Sequence, residues 1–302
     1  MKKALIIYHS VDSDGLMSMA ITKKALESAG MDVATKGYNY KEEDVAFLRA
    51  PVYYDLIAAV DCSFPADIMK IIAPKLVWID HHETAIKSSQ ENGYSGVQGK
   101  RLSGKAACEL CWEFFYPGVE MPKSVLYCGI YDTWRKDEIG EGYWNSVILP
   151  FQYALRSELG TNPGEWENAW DDIIVNQENT NNLLRSGLAI QKYLKQFWEN
   201  SVKGGGFPVV VAGKYKGICI LGRLGSSACF DCVRDLYDIY VTATKNSDGS
   251  YSVSAYKEPS RLPDFSLGKY MAANYNGGGH VSSAGGTMTL DQFIRLINEG
   301  RM

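Results

Sequence analysis

The strongest constraint on the fold is a series of short apolar runs that end in aspartate or histidine. Residues 3–8, 54–60 and 75–79 have the length of buried strands and are too short for buried helices. Helical patterns at 16–29 and 66–72 separate these runs. This alternation predicts a parallel sheet with helices on both faces.

The pattern changes twice along the chain, which predicts three parts. Residues 1–164 carry the alternating strands and helices, while 165–203 contain no strand-like run and have helical spacing. Three consecutive glycines then open a different unit over 204–302. The predicted class is α/β, with an N-terminal parallel-sheet domain, a helical connector and a smaller C-terminal α/β domain with a mixed sheet.

The C-terminal unit mixes strand and helix signals. Apolar, β-branched runs predict strands at 208–212 and 217–221, and a hairpin around Asp248 and Gly249. A helix is predicted over 226–236, another over 267–274, and a last one after Thr289, where Gln292 completes a capping-box pattern.

Composition excludes several classes of protein. With 302 residues, 46% of them hydrophobic and 22% charged, the chain is expected to form a packed core. A net charge of −4 argues against a protein that binds long nucleic acid by its overall charge. It leaves open the binding of a small anionic substrate through divalent cations. Without a signal or membrane-spanning pattern, and with seven cysteines read as reduced thiols, a cytoplasmic protein without membrane partners is expected. A homodimer is left open.

Three of the four histidines lie where predicted strands end, each close to aspartates. In an open parallel sheet, ligands bind outside the carboxyl ends of the strands. The residues brought to this edge are His9, Asp12, Asp14, Asp61, Asp80, His81 and His82. Mixed imidazole and carboxylate ligands suit manganese, iron or zinc, and two metals about 3.5–4 Å apart can share one carboxylate.

Each of these residues also has a simpler interpretation. Asp12 and Asp14 are suited to capping the helix that follows them. Asp61 suits a turn, and the two adjacent histidines suit an ordinary loop. Their coincidence at three strand ends favours a metal site. Asp132 lies in a mostly apolar helical stretch, where a carboxylate is costly unless it is paired or binds metal, or lies at a solvent-facing helix end.

A second signal is a glycine-rich segment in the C-terminal unit. Consecutive glycines allow backbone N–H groups to approach an anion closely, and a histidine can donate to it. A plain turn is the alternative. The residues concerned are Gly277, Gly278, Gly279, His280, Ser282 and Ser283.

Taken together, these motifs resemble those of the DHH phosphoesterase family with its C-terminal associated domain. The resemblance covers nearly the whole chain through the segments HSVDSDG, AVDCS, IDHHET, GIYDT and GGGHVSSAGG. The nearest subgroup resembles nanoRNases that also act on 3'-phosphoadenosine 5'-phosphate and exopolyphosphatase-related proteins.

The resemblance implies a role for each motif. Two divalent metals, usually Mn²⁺, would be bound by His9, Asp12, Asp14, Asp61, His81 and Asp132, with Asp61 bridging them. His82 would contact the reacting phosphate or support the metal ligands, and Asp80 would orient the histidines. The domain over 204–302 would bind the substrate through the glycines and His280.

Two positions depart from the family pattern. Two residues separate His9 from Asp12, where the family usually has one or three. Tyr256 stands where an arginine usually grips phosphate, and Lys257, Arg261 and Arg223 are candidates to replace it.

Three functions follow as hypotheses. The first is hydrolysis of phosphate esters in short oligoribonucleotides or small nucleotides. The second is hydrolysis of polyphosphate or pyrophosphate, which shares the metal site but needs a basic cradle. The third is a nucleotide-binding regulatory module without activity, which the complete set of ligands disfavours.

Overall fold

The computed structural model describes residues 1–50, 52–222, 224, 226–258 and 260–302. The chain divides into two compact units, Met1–Gln191 and Lys192–Met302. The segment predicted as a connector, 165–203, is therefore shared between the two units. Its assignment as a separate domain, like the functions given to the domains, stays a prediction.

The first unit is built on a four-stranded parallel sheet. Its strand order is β2-β1-β3-β4. Because neighbouring strands are parallel, each connection between two strands crosses one face of the sheet. All four strands point the same way, and their carboxyl ends meet at one edge. The strands are β1 (Lys3–His9), β2 (Asp32–Tyr38), β3 (Leu56–Val60) and β4 (Leu76–Ile79).

Both faces of this sheet are covered. In β1, Ile6 packs into the core on one face, whereas Ile7 packs into the core on the other. This alternation follows from the two-residue period of a strand. The predicted parallel sheet with helices on both faces is confirmed. The helices are α1 (Ser13–Ser28), α2 (Ala66–Ile72), α3 (Glu83–Glu91), α4 (Ala107–Phe115), α5 (Lys123–Asp132), α6 (Lys136–Ile139), α7 (Glu141–Tyr143), α8 (Leu149–Leu159) and α9 (Pro163–Asn168).

One long helix, α10 (Gln177–Gly205), begins in the first unit and ends in the second. Two single π-helical turns precede it at Trp144–Ile148 and Trp170–Ile174. In the parts of the chain that the structure describes, no helix is both long enough and apolar enough to cross a membrane.

The second unit contains a six-stranded mixed sheet with the order β5-β6-β7-β8-β10-β9. Among the described strands of this sheet, β6 and β7 are the one parallel pair, and the predicted β7–β8 hairpin is confirmed. The predicted capping box is also confirmed, since Thr289 and Gln292 bond each other's backbone at the start of the last helix. The elements are β5 (Phe207–Val211), β6 (Tyr215–Leu221), β7 (Ile239–Lys245), β8 (Tyr251–Tyr256), α11 (Leu267–Asn274), β9 (Gly278–Gly279), β10 (Ser283–Met288) and α12 (Leu290–Glu299).

In this unit one prediction was wrong and one strand was not predicted. The helix predicted over 226–236 is a 3-10 helix at Ser227–Val233. Ser226 caps it through Ala228 N, and stacking of Phe230 on Tyr240 holds it against the sheet, so tertiary packing replaced a longer α-helix. The strand β10 was missed, because its small residues resemble a loop.

Candidate metal centre

The site lies at the carboxyl edge of the parallel sheet, where β1 leads into α1. His9 is the last residue of β1, and Asp12 caps α1 by accepting a hydrogen bond of 3.0 Å from Gly15 N. The capping interpretation of Asp12 is therefore correct, and one of its oxygens remains directed at His9. Gly15 allows this close joint, because a Cβ there would lie 2.0 Å from His9 O.

The structure brings all the predicted ligands of the first unit together. Three groups are close enough to hold a metal ion, with the ligand atoms of each group within 4.8 Å of one another. Asp61 and His81 each belong to two groups, so the groups form one continuous cluster. The groups are His9 with Asp12 and Asp61, Asp14 with His81 and Asp132, and Asp61 with His81 and His82.

Distances within the cluster show how closely the donor atoms converge. His9 Nδ1 lies 2.8 Å from Asp12 Oδ2 and 3.5 Å from Asp61 Oδ2. His81 Nε2 lies 3.3 Å from Asp61 Oδ1, 3.4 Å from Asp132 Oδ2 and 3.7 Å from Asp14 Oδ2. Asp61 thus presents one oxygen to each histidine, which is the arrangement needed of a bridging carboxylate.

Two buried atoms in this cluster have no hydrogen-bond partner among the described residues. They are His9 Nδ1 and Asp61 Oδ1, although other polar atoms lie close to both. Asp61 is only 1% exposed, and an unsatisfied buried carboxylate oxygen is costly. Divalent cations held by the two groups that share Asp61 would satisfy these atoms. The residues present therefore fit the metals that the donor types favour, and their assignment as ligands stays a prediction.

The backbone at Asp61 is strained. Its φ of 55° lies in the left-handed region, which residues other than glycine and asparagine rarely adopt. Such conformations cost about 1–3 kcal/mol and are concentrated at functional sites. The strain turns the Asp61 carboxylate from the end of β3 toward the two histidines.

The aspartates share a crowded, buried environment. Burial raises the pKa of Asp14 well above its usual value, even though its oxygens accept hydrogen bonds of 2.9 and 2.8 Å from Ala107 N and Cys108 N at the start of α4. Burial likewise raises the pKa of Asp132 to about 6. Burial acts the same way on Asp61, but His81 and His9 outweigh it and hold the pKa of Asp61 below its usual value.

The neighbouring carboxylates raise the pKa values of the histidines. The adjacent Asp12 carboxylate raises the pKa of His9 to about 10. Burial alone would lower the pKa of His81, but Asp61 and Asp14 raise it to about 9. Without a cation, protons on the histidines therefore balance the carboxylates. A bound cation takes over this role, because metal ligation requires neutral imidazole.

Asp80 supports the histidine that is most open to solvent. Asp80 is fully buried and accepts hydrogen bonds from Trp78 Nε1, His81 N and His82 N. Its Oδ1 also lies 2.7 Å from His82 Nδ1, while 40% of the His82 side chain stays exposed. Asp80 thus fixes the ring of His82 but touches only the backbone of His81.

In the second unit, the glycine-rich segment forms a tight hairpin of β9 and β10. A Cβ at Gly277 would lie 2.0 Å from Gly285 O, and one at Gly279 would lie 2.6 Å from Ala284 Cα. Close backbone packing therefore explains these two glycines without a ligand. His280 is exposed, and its N–H donates to Ser283 O. Binding of substrate by His280, Ser282 and the glycines stays a prediction.

Arg261 was predicted to bind substrate, and in the structure it lies against backbone carbonyl groups. Its guanidinium donates to the carbonyl oxygens of Arg234, Asp235 and Tyr237. These bonds anchor a turn and engage the guanidinium with backbone oxygens, and binding of substrate by Arg261 stays a prediction. Lys257 is 5% exposed, and its Nζ has no partner among the described residues. Arg223 lies outside the described residues.

Two residues at the site were missed from the sequence. Tyr40 packs against His9, with ring centroids 5.5 Å apart, and Trp134 follows two residues after Asp132. Proximity to a predicted ligand was the available signal for Trp134. No comparable signal marked Tyr40, which lies 31 positions from His9.

Buried thiols line the same region. Cys62 directly follows Asp61, and Cys108 donates its backbone N–H to Asp14. Both side chains are fully buried. Burial raises the pKa of both thiols well above the usual value, so they remain protonated.

We expect Mn²⁺ to raise the melting temperature of the metal-free chain. A ligand at 100 times its dissociation constant stabilises the folded state by about 2.7 kcal/mol, which is roughly 5–10 °C for a unit of this size. Differential scanning fluorimetry with Mn²⁺, followed by a chelator, measures this shift. An unchanged melting temperature at saturating Mn²⁺ would contradict the metal assignment.

Comparison with known proteins identifies the fold of the chain. No protein-family model and no curated protein sequence matches the chain. A pGpG-specific phosphodiesterase from Vibrio cholerae is similar in structure, with a TM-score of 0.59 and 11% identity over 99% of this chain and 97% of that one. The DHH domain of a member of the s1p family of ribosomal proteins is also similar in structure, with a TM-score of 0.59. Its identity is 14%, over 100% of this chain and 88% of that one. The chain has the DHH fold.

Proposed function

We propose that this chain is a metal-dependent phosphoesterase that hydrolyses phosphate esters of short oligoribonucleotides or small nucleotides. The observation that carries the proposal is the cluster of three ligand groups joined by Asp61 and His81. A cluster with a shared carboxylate suits two divalent ions, for which Mn²⁺ is the leading candidate.

The position of each residue in the cluster indicates its role in the proposed reaction. The ligand groups would hold two divalent ions, whose chemistry there would be to activate water at neutral pH and to stabilise charge on the phosphoryl group. Asp61 holds the two halves of the cluster at a fixed separation, because its oxygens face His9 and His81. Asp80 holds Nδ1–H of His82 and raises the pKa of this histidine, so that in the protonated ring Nε2–H can donate a hydrogen bond to a phosphate oxygen.

Two further considerations support a small nucleotide. The net charge of −4 disfavours a long polyanion, which needs an extended basic surface. The pGpG-specific phosphodiesterase with the same fold is named for a dinucleotide.

The test is an assay with Mn²⁺ on 5'-labelled RNA dimers to pentamers, beside 3'-phosphoadenosine 5'-phosphate and tripolyphosphate. We expect release of mononucleotides from the shortest RNAs, or of phosphate from the bisphosphorylated nucleoside. Both activities should disappear with a chelator. Hydrolysis of tripolyphosphate alone would replace this proposal with the polyphosphate alternative, and stoichiometric metal without any turnover would favour the regulatory module.

A further inference from the structure

Two exposed aromatic residues adjoin members of the metal cluster, one through a ring contact and the other along the chain. Tyr40 packs on His9, a member of the group with Asp12 and Asp61. Trp134 follows Asp132, a member of the group with Asp14 and His81. Tyr40 is 50% exposed and Trp134 is 63% exposed, although solvent exposure of such large rings is unfavourable.

Both rings are displayed by strained backbone. The φ angle is 56° at Tyr40 and 53° at Trp134, in the left-handed region that bulky residues rarely adopt. Asp61 is strained in the same way. Three of the six described non-glycine residues with positive φ thus belong to the cluster or adjoin one of its members in contact or along the chain. Strain at this concentration is typical of residues whose orientation serves binding or catalysis.

The side chains of the residues before and after Trp134 form hydrogen bonds that hold its turn in place. Thr133 Oγ1 donates to Gly129 O, and Arg135 forms an ion pair of 2.5 Å with the buried Glu109. Arg135 Nε also donates to Thr133 Oγ1. These bonds offset the strain and hold the indole in a preformed position, which lowers the entropic cost of binding a ligand against it.

The faces of the two rings have no stacked partner. Tyr40 meets His9 and Tyr38 at 61° and 50°, and Trp134 meets both Tyr131 and Trp144 at 63°. By contrast, Tyr131 and the buried Trp144 stack at 12°. Among the described residues, no neighbouring ring therefore lies parallel to either exposed ring, so neither has a stacked aromatic partner.

We propose that Tyr40 and Trp134 are base-stacking residues and that the substrates of this site carry nucleobases. This inference rests on the proposed phosphoesterase function and assigns residues to recognition of the nucleobase, a planar group that inorganic polyphosphate lacks. Stacking of a base on an aromatic ring tolerates any base sequence, because every base has a π-face. The two rings select for the presence of a base and the metal cluster acts on the phosphate.

The test compares 5'-phosphorylated diadenylate with its stable abasic analogue at saturating Mn²⁺. In the wild type we expect kcat/KM to favour the dinucleotide, mainly through KM. Trp134→Gly keeps the left-handed backbone and removes the ring, and we expect it to reduce this preference by about tenfold or more, as for loss of one stacked base. Tyr40→Ala should act in the same direction.

Matched variants separate stacking from structural damage. Trp134→Phe and Tyr40→Phe keep a ring and should retain most of the preference. Tyr53→Ala removes a tyrosine that is 95% exposed elsewhere in the first unit, and should retain it fully. Equal preference in the wild type and in the ring-removing variants would overturn the inference.

Binding gives a readout that does not depend on turnover. If the wild type cleaves neither compound, the proposed function fails, and the dissociation constant of the dinucleotide is measured by quenching of tryptophan fluorescence. A dissociation constant at least about tenfold higher for Trp134→Gly would then support the stacking role by itself. Absence of dinucleotide binding to the wild type would overturn it.

Discussion

Replacing Asp61 by asparagine is expected to abolish turnover while the chain stays folded. Asparagine matches aspartate in size and tolerates the left-handed backbone at this position, so the change introduces no new strain. It removes the charge that faces both His9 and His81. We expect kcat/KM to fall by more than the roughly 10–100-fold typical of residues that only support metal ligands.

Three measurements define the outcome for Asp61→Asn. Steady-state kinetics report the loss of turnover, circular dichroism reports the fold, and fluorimetry reports the stabilisation by Mn²⁺, which should shrink or vanish. Asp67→Asn is the matched control, because Asp67 is an exposed aspartate paired with Arg49. Full activity of purified Asp61→Asn would show that Asp61 does not join two metal ions.

Replacing Gly15 by alanine is expected to cause a large loss of stability. The added Cβ would lie 2.0 Å from His9 O and 2.7 Å from His9 C, both of which are backbone atoms in the joint between β1 and α1. Neither can move without shifting the strand or the helix. We expect the free energy of unfolding to fall by about 3 kcal/mol or more, at the upper end of overpacking effects.

Denaturant titration measures the loss for Gly15→Ala. Gly142→Ala is the control, since Gly142 lies in α7 with no atom close to its missing Cβ. An alanine there should leave stability unchanged or raise it by about 0.5–1 kcal/mol. Equal stabilities of the two variants would mean that the β1–α1 joint is not as closely packed as described.

The metal cluster was predictable from the sequence because it obeys a topological rule. Once 3–8, 54–60 and 75–79 are read as parallel strands, His9, Asp61 and His81 must meet at the carboxyl edge of the sheet. Asp132 was found differently, as a carboxylate in an apolar helix. The structure places it 3.4 Å from His81.

The remaining features depend on backbone angles and tertiary contacts that residue patterns do not encode. Nothing in the sequence marks Tyr40 or Trp134 as left-handed, because tyrosine and tryptophan rarely adopt that conformation. Arg261 looked like a phosphate ligand, yet carbonyl oxygens from a distant segment engage it. The glycines at 277 and 279 looked like an anion cradle, and close packing of β10 explains both.

The protonated thiols around the cluster bear on how the chain tolerates oxidants. Thiolate is the form that reacts with peroxide and alkylating agents, and burial keeps Cys62 and Cys108 in the thiol form. The groups that face the cluster are imidazoles and carboxylates, which such reagents leave largely intact. A change in the redox potential of the surroundings should therefore have little effect on the metal cluster while the chain remains folded.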